Sequence, residues 1–310
     1  MCERLGRKSV KICENQEAER CCGSCLGLRK KTGYTFANCK KALEMSNNDL
    51  AKAEQWLKEQ AQALGWSKAT KLEGRATAQG LVGLALKNNT GVMVEVNCET
   101  DFVARNKTFT SLVEMVAASC FKQVHALKDP HTIGQLTLDS SELKSLPGPD
   151  KAPLGDHMAL AISSVGENLS LRRALIVTVP KDIFITGYTH PSPDKISAKV
   201  MTGKYSALVA YTTRSEGPNT HQVARQLCQH VVGMNPSKVG VAGADEPAEN
   251  VDDETVMIHQ DFLLDPSTTV GQLMEASSLD VLQFWRFECG EDLKPQELSP
   301  AEPSLASQAG

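Results

Sequence analysis

Aromatic residues make up only 5% of this 310-residue chain, and no apolar run approaches the roughly 20 residues needed to span a bilayer. The first residues carry no apolar stretch of signal-peptide length, so neither membrane insertion nor secretion is expected. Catalytic signatures are missing too. There is no His-Glu-x-x-His, no Gly-x-Ser-x-Gly and no Gly-x-Gly-x-x-Gly, and the nearest phosphate cradle, Gly203-Lys204-Tyr205, lacks both the earlier glycine and the Ser or Thr after the lysine. The seven histidines are scattered; His190 before Pro191 and His230 within a helical pattern read as turn or surface residues. These gaps argue against an enzyme, a resident metal and a bound cofactor. No long heptad run is present, which excludes an extended coiled coil.

What is present suits a globular chain of more than one core: 41% hydrophobic residues and an ordinary 23% charged. Ten cysteines fall partly inside apolar segments, and without a signal peptide they read as thiols of a reducing compartment. Cys21, Cys22 and Cys25 contain one Cys-x-x-Cys, but only the single Cys39 follows nearby, so a structural zinc site is not expected. The net charge of -4 is unevenly spread: residues 1–75 hold 15 Lys plus Arg against 9 Asp plus Glu, leaving 18 against 28 for the remainder. A basic front of this kind reads either as a solvated helix face or as a surface for an acidic partner. Interleaved aromatics for base stacking are absent, so no direct nucleic-acid binding is expected.

The patterns predict an α+β fold with these parts. Residues 1–27 form a leader without clear periodicity, expected to be mostly disordered, and too acidic for a typical transit peptide. Residues 28–66 form a small bundle of three helices: one ending at Gly33, one capped by Thr35 and running through Leu43, one capped by Asn48 and running to about Leu64. Leu50, Ala53, Trp56, Leu57 and Leu64 recur at helical spacing and should pack against Phe36 and Leu43. Residues 67–79 read as a linker helix. A core of antiparallel strands packed with helices follows, in two subdomains, 80–150 and 151–291, then a disordered tail, 292–310. Within the core, the segments flanking Asn88-Asn89-Thr90-Gly91 read as a hairpin, Phe109 to Ala117 as a buried helix stripe, and 126–156 as a proline-rich loop with one short helix. Six acidic side chains between Asp245 and Glu254 read as an exposed loop, since the alternating oxygen-ligand pattern around a glycine is absent.

One run stands apart: Glu95-Val96-Asn97-Cys98-Glu99-Thr100-Asp101-Phe102-Val103-Ala104-Arg105 ends an apolar strand in a carboxylate beside a large aromatic. By its residues alone the pair is either an exposed wedge for another protein or a helix N-cap aspartate beside a core phenylalanine. The run resembles the second signature of the elongation factor Ts family, and Leu28-Arg29-Lys30-Lys31-Thr32-Gly33 leading to Cys39-Lys40-Lys41-Ala42-Leu43 resembles its first. Without a coiled-coil insertion, the chain looks like the animal mitochondrial branch.

The resemblance implies a ubiquitin-associated-like opening bundle, a core of two related halves, and guanine-nucleotide exchange on mitochondrial elongation factor Tu, in a one-to-one heterodimer in the mitochondrial matrix. Carried over residue by residue, it implies that Thr100, Asp101, Phe102, Val103, Arg105 and Asn106 form the core contact with that partner, beside its magnesium and nucleotide site. Arg29, Lys30, Lys40 and Lys41 would hold a second surface, and His230 to Pro236 would reach another domain. The alternative is an interaction module that binds ubiquitin-like proteins or acts as a scaffold without exchange activity.

Overall fold

A computed structural model describes residues 24–32, 36–127, 131–192, 199–214 and 219–293. The expected leader up to residue 23 and the expected tail from residue 294 lie outside the described residues. The chain divides between Thr70 and Lys71 into two compact units.

The first unit holds three helices, α1 (24–32), α2 (Phe36–Met45) and most of α3 (Leu50–Leu72). Its core joins Cys25, Leu28, Cys39, Ala42, Leu43, Ala53 and Leu57, with Trp56 packed against it. Four expectations are corrected here. The first helix begins upstream of Leu28, because Cys25 lies three residues earlier on the same buried side. Asp49, not Asn48, caps α3: its carboxylate accepts the backbone N–H groups of Ala51 and Lys52 at 3.0 and 3.1 Å, while Asn48 turns the chain at φ 61°. Third, α3 does not stop near Leu64 before a separate linker helix over 67–79; it runs unbroken to Leu72, since nothing between breaks a helix until Gly74 adopts φ +88°. Phe36, Leu50 and Leu64, expected in the core, are exposed; the stripe turned inward is Ala53, Leu57, Ala61 and Gly65, spaced four apart.

The second unit is built from two antiparallel sheets. Strands β1 (Gln79–Lys87) and β2 (Thr90–Cys98) form the expected hairpin, with Asn88 at φ 53° in its two-residue turn. Gly91 serves a different purpose from the turn role expected of it: a Cβ there would sit 2.8 Å from Leu208 and 3.0 Å from Ile185, so the glycine lets the two sheets close on each other. After β2 come the one-turn α4 (Asp101–Ala104) and α5 (Lys107–Phe121), then β3 (Gly134–Asp139), α6 (Ser140–Ser145), α7 (Leu154–Val165) and β4 (Leu169–Thr178). The proline-rich stretch read as loop with one short helix holds such a helix in α6, launched by an Asp139–Glu142 capping box, and also a strand that was not expected, β3. Strands β5 (Phe184–His190), β6 (Met201–Gly203) and β7 (Tyr205–Thr213), helix α8 (Thr220–Met234), strands β8 (Asp261–Phe262) and β9 (Asp265–Thr269), helix α9 (Val270–Ala276) and strand β10 (Leu279–Glu288) complete the unit.

The first sheet has the order β3-β4-β2-β1-β6 and the second β10-β7-β5, with β8 and β9 as a small ladder. Strand pairing therefore does not follow a division at 150/151. β2, buried along all nine residues, needs a neighbour on each side and has β1 and β4, while β6 pairs with β1 at the sheet's edge. The sheets meet face to face through Val82, Leu84, Met93, Leu175 and Val177 on one side and Leu208, Ala210 and Phe287 on the other. Helix α5 covers the outer face of the first sheet with Phe109, Leu112, Val113, Val116 and Ala117, and α8 covers the second with Ala224, Leu227, Cys228 and Val231. The result is the expected α+β class, as helix, sheet, sheet, helix layers.

Two buried polar centres hold these layers in register. Glu95 on β2 is fully buried. A β-bulge on β4 sets Arg172 and Arg173 together against it, so that Arg172 Nη1 and Arg173 Nε each donate to one carboxylate oxygen at 2.8 Å. Asn97 Nδ2 and the backbone N–H of Gly290 donate to the same carboxylate, at 3.1 and 2.7 Å, so the segment after β10 is tied in. Both arginines reach on to Glu291, and Arg286 joins through Glu288 and Glu291.

His230, expected at a surface, is instead fully buried on α8. The backbone N–H of Leu263 donates to its Nδ1 at 3.2 Å, so Nε2 carries the proton and donates to Gln260 Oε1 at 2.9 Å. Three residues after Leu227 and seven after Val223, His230 lies on the apolar side of α8, and the partners that make its burial possible come from the 257–263 segment.

Removing the Glu95 carboxylate leaves two guanidinium groups without their shared partner, so Glu95→Ala should lower the unfolding free energy by about 3–5 kcal/mol, read as a drop in the urea midpoint. Burial holds the His230 pKa below its usual value, with the Gln260 hydrogen bond offsetting part of the effect. A depressed folded pKa means that the unfolded chain binds the proton more tightly. His230 therefore contributes its stability above the unfolded value of about 6.5 and loses it as pH falls below that. Thermal midpoints measured between pH 7 and pH 5 should fall less steeply in His230→Gln than in the parent.

Candidate functional site

The signature run leaves β2 at Cys98 and turns at once. The Cys98 thiol, pushed up to about 12 mainly by burial, stays protonated and donates to the Thr100 carbonyl at 3.1 Å. Glu99 accepts both oxygens' worth of bonds from Arg75 Nη1 at 3.2 Å and the backbone N–H of Asn168 at 2.8 Å, and Asn168 Nδ2 donates back to the Arg75 carbonyl at 3.0 Å. Thr100, extended at φ -125°, ψ 155°, is the N-cap of α4, its hydroxyl oxygen accepting the Val103 N–H at 3.4 Å. The same residue is gripped by Glu167, whose carboxylate accepts the Thr100 N–H at 3.0 Å and its hydroxyl proton at 2.7 Å.

On this base α4 sorts its side chains by helical position. Val103 and Ala104 point inward and are buried. Phe102 points outward and is 79% exposed, more than any other large apolar side chain among the described residues. Asp101 and Arg105, four apart, form an exposed ion pair at 3.1 Å, which adds little stability in water. Asn106 caps α5 by accepting the Thr108 N–H at 2.8 Å. Of the two readings open at the sequence, Asp101 as N-cap with Phe102 in the core is thereby excluded: Thr100 is the cap and the ring stands in solvent. Six of the singled-out residues, Thr100, Asp101, Phe102, Val103, Arg105 and Asn106, come together in one turn. Only Asp101, Phe102, Arg105 and Asn106 offer side chains outward there; Val103 is turned inward and Thr100 is half-buried.

The other four lie in the first unit. Arg29 and Lys30 are exposed on α1, and Lys40 and Lys41 on α2. Lys40 meets Glu44 at 3.9 Å, and Lys41 Nζ lies 5.9 Å from the Trp56 ring centroid. Arg75, Glu99, Glu167 and Asn168 were not singled out as site residues. They are drawn from three chain segments up to 93 residues apart, so no local spacing marks them. Lys204, in the failed phosphate cradle, donates to Gln79 Oε1 at 2.9 Å. In the acidic loop, Asp245 accepts from the Val241 N–H and Glu254 from the N–H groups of Ala248 and Val256, as loop-bracing contacts.

A family model described as "Elongation factor Ts, mitochondrial, N-terminal" matches residues 13–67, and one described as "Elongation factor TS" matches residues 99–252. The protein named "Elongation factor Ts, mitochondrial" from Aedes aegypti is 54% identical over 269 residues, which covers 86% of this chain and 87% of that relative. The chain belongs to the elongation factor Ts family. Proteins of the same name from Homo sapiens (49% identical, 85% of this chain and 82% of the relative) and Drosophila melanogaster (48%, 85% and 84%) agree. The stretch matched by the second family model begins at Glu99, so it contains the exposed turn and Glu167 together.

An exposed ring contributes nothing to its own fold. Phe102→Ala should therefore leave the thermal midpoint of the isolated protein unchanged, with a free-energy difference within about 0.5 kcal/mol. A drop of several degrees would place the ring in the core after all.

Proposed function

We propose that this protein, a nucleotide exchange factor of translation elongation by its family, releases GDP from mitochondrial elongation factor Tu by inserting Asp101 and Phe102 beside that partner's magnesium and nucleotide. The observation that carries this reading is the solvent-standing Phe102 on a turn whose backbone is pinned at Thr100. A large ring exposed on a rigid support is costly to leave in water and gives about 1.5–3 kcal/mol when it enters an apolar pocket. It matches the aromatic anchors of interface hot spots.

The chemistry needs no covalent step. Magnesium in a GTPase demands near-octahedral oxygen geometry and links protein to phosphates, so a small displacement of its surroundings weakens ion and nucleotide together. Asp101 adds a negative charge next to the ring; in the free protein Arg105 holds it, and it can be turned toward a phosphate-binding loop once docked. Linkage does the remaining work: a factor that lowers the partner's affinity for GDP has its own affinity lowered by GDP to the same extent, so GTP entry and release of the factor complete the cycle. Arg29, Lys30, Lys40 and Lys41, all exposed cations, supply a second contact surface in this reading. The protein is mitochondrial, as its relatives are named; the matrix as its compartment and a one-to-one heterodimer as its assembly belong to the proposal.

Asp101→Ala combined with Phe102→Ala should cut stimulated GDP release from elongation factor Tu at least tenfold, which corresponds to about 1.4 kcal/mol of barrier. The measurement is the rate of labelled-GDP loss at a fixed, subsaturating concentration of the factor. Undiminished stimulation by a folded double variant would end this reading.

A further inference from the structure

Helix α4 is only four residues long, and a single helical turn does not hold itself in water. Its direction comes from Thr100, and Thr100 is held by a side chain 67 residues further on. Both carboxylate oxygens of Glu167 are engaged by this one residue, Oε2 by the backbone N–H at 3.0 Å and Oε1 by the hydroxyl at 2.7 Å. The hydroxyl, its proton directed at Glu167, keeps a lone pair for the Val103 N–H, which is the cap of α4. The grip is reciprocal, because Glu99 accepts the N–H of Asn168 at 2.8 Å. Each glutamate thus accepts the backbone N–H of the residue that follows the other, lacing the end of β2 to the start of β4. Glu167 is aimed by Gly166, which ends α7 in the left-handed region at φ 81°, where a side chain would be strained.

We infer that Glu167 is a positioning residue for nucleotide exchange: it acts through Thr100, holding the Asp101-Phe102 turn in the conformation that the partner accepts. The inference rests on the reading in which that turn is the wedge. Its physical content is pre-organisation. A turn that samples other conformations binds with an affinity reduced by the fraction that is competent, whereas its action once bound is unchanged. Loss of Glu167 therefore acts on the concentration of factor needed and not on the maximal rate.

The test is GDP release from elongation factor Tu loaded with fluorescent GDP, followed over a range of concentrations of full-length variants. Glu167→Ala should raise the half-saturating concentration about tenfold, with the maximal rate kept within about twofold. Glu167→Gln should stay near the parent, since its Oε1 can take the Thr100 N–H and its Nε2 can donate to the hydroxyl oxygen, which still has a lone pair for Val103. A parental half-saturation in Glu167→Ala, a fall in maximal rate at unchanged half-saturation, or a Gln variant as damaged as the Ala variant each overturns the inference. Should Glu167→Ala fail to melt cooperatively, Glu167→Asp, which keeps the charge but shortens the reach, is judged by the same split. Asp101→Ala with Phe102→Ala runs alongside: if that pair retains full stimulation, the wedge reading itself fails, whereas its loss beside an unaffected Glu167→Ala removes only the positioning role.

Discussion

A carboxylate with no exposed surface sits at the centre of the larger unit. Glu95 is fully buried on the central strand of a five-stranded sheet, and burying an ion there costs several kcal/mol unless its lone pairs are all taken. They are taken by Arg172, Arg173, Asn97 and the Gly290 backbone, which come from two strands and the segment after a third. Satisfying Glu95 requires β2 and β4 to be neighbours, in the register that places the bulge at Arg172, with the end of β10 folded back over them. A slip by one residue would turn the carboxylate to the other face and leave both guanidinium groups unpaired. Arg173 also lies over the Phe287 ring, its guanidinium carbon 3.9 Å from the centroid, so the charged centre and the apolar contact between the sheets share a residue.

From that anchor the exposed Asp101-Phe102 turn is reached within a few residues. β2 carries the register set at Glu95 to Cys98; Glu99 and Thr100 are then laced to Glu167 and Asn168 at the start of β4. The two strands joined by the buried ion cluster are thus the same two whose ends hold the exposed turn. Rigidity is supplied where side chains are buried, and the apolar ring is left outside, where it contributes nothing to folding. A turn held in this way keeps its exposed ring in one place without relying on the ring's own contacts.

Much of this was legible along the chain. The hairpin around Asn88-Asn89 and the buried stripe of α5 each follow from a local rule of turn or period. The failures have one character. Asp49 displaced Asn48 as cap because two adjacent polar residues satisfy the same pattern, and Asn48 is used in the turn, at φ 61°, one residue earlier. The strand at 134–139 was missed among prolines, since an edge strand needs only one partner and β4 supplied it. His230 looked like a surface residue because the hydrogen-bond partners that let a histidine be buried come from a segment some 30 positions later.

What the sequence by itself determined was the class of the fold, the helices and strands of strong period, and the short run in which a carboxylate and a ring follow a strand. Those features are written within a few residues of each other. Whether Phe102 faces solvent or core, which strands neighbour β2, and the identity of the glutamate that grips Thr100 were settled only in the tertiary structure. Each depends on residues tens of positions apart satisfying the same buried donor or acceptor, and a linear chain carries no local mark of that meeting.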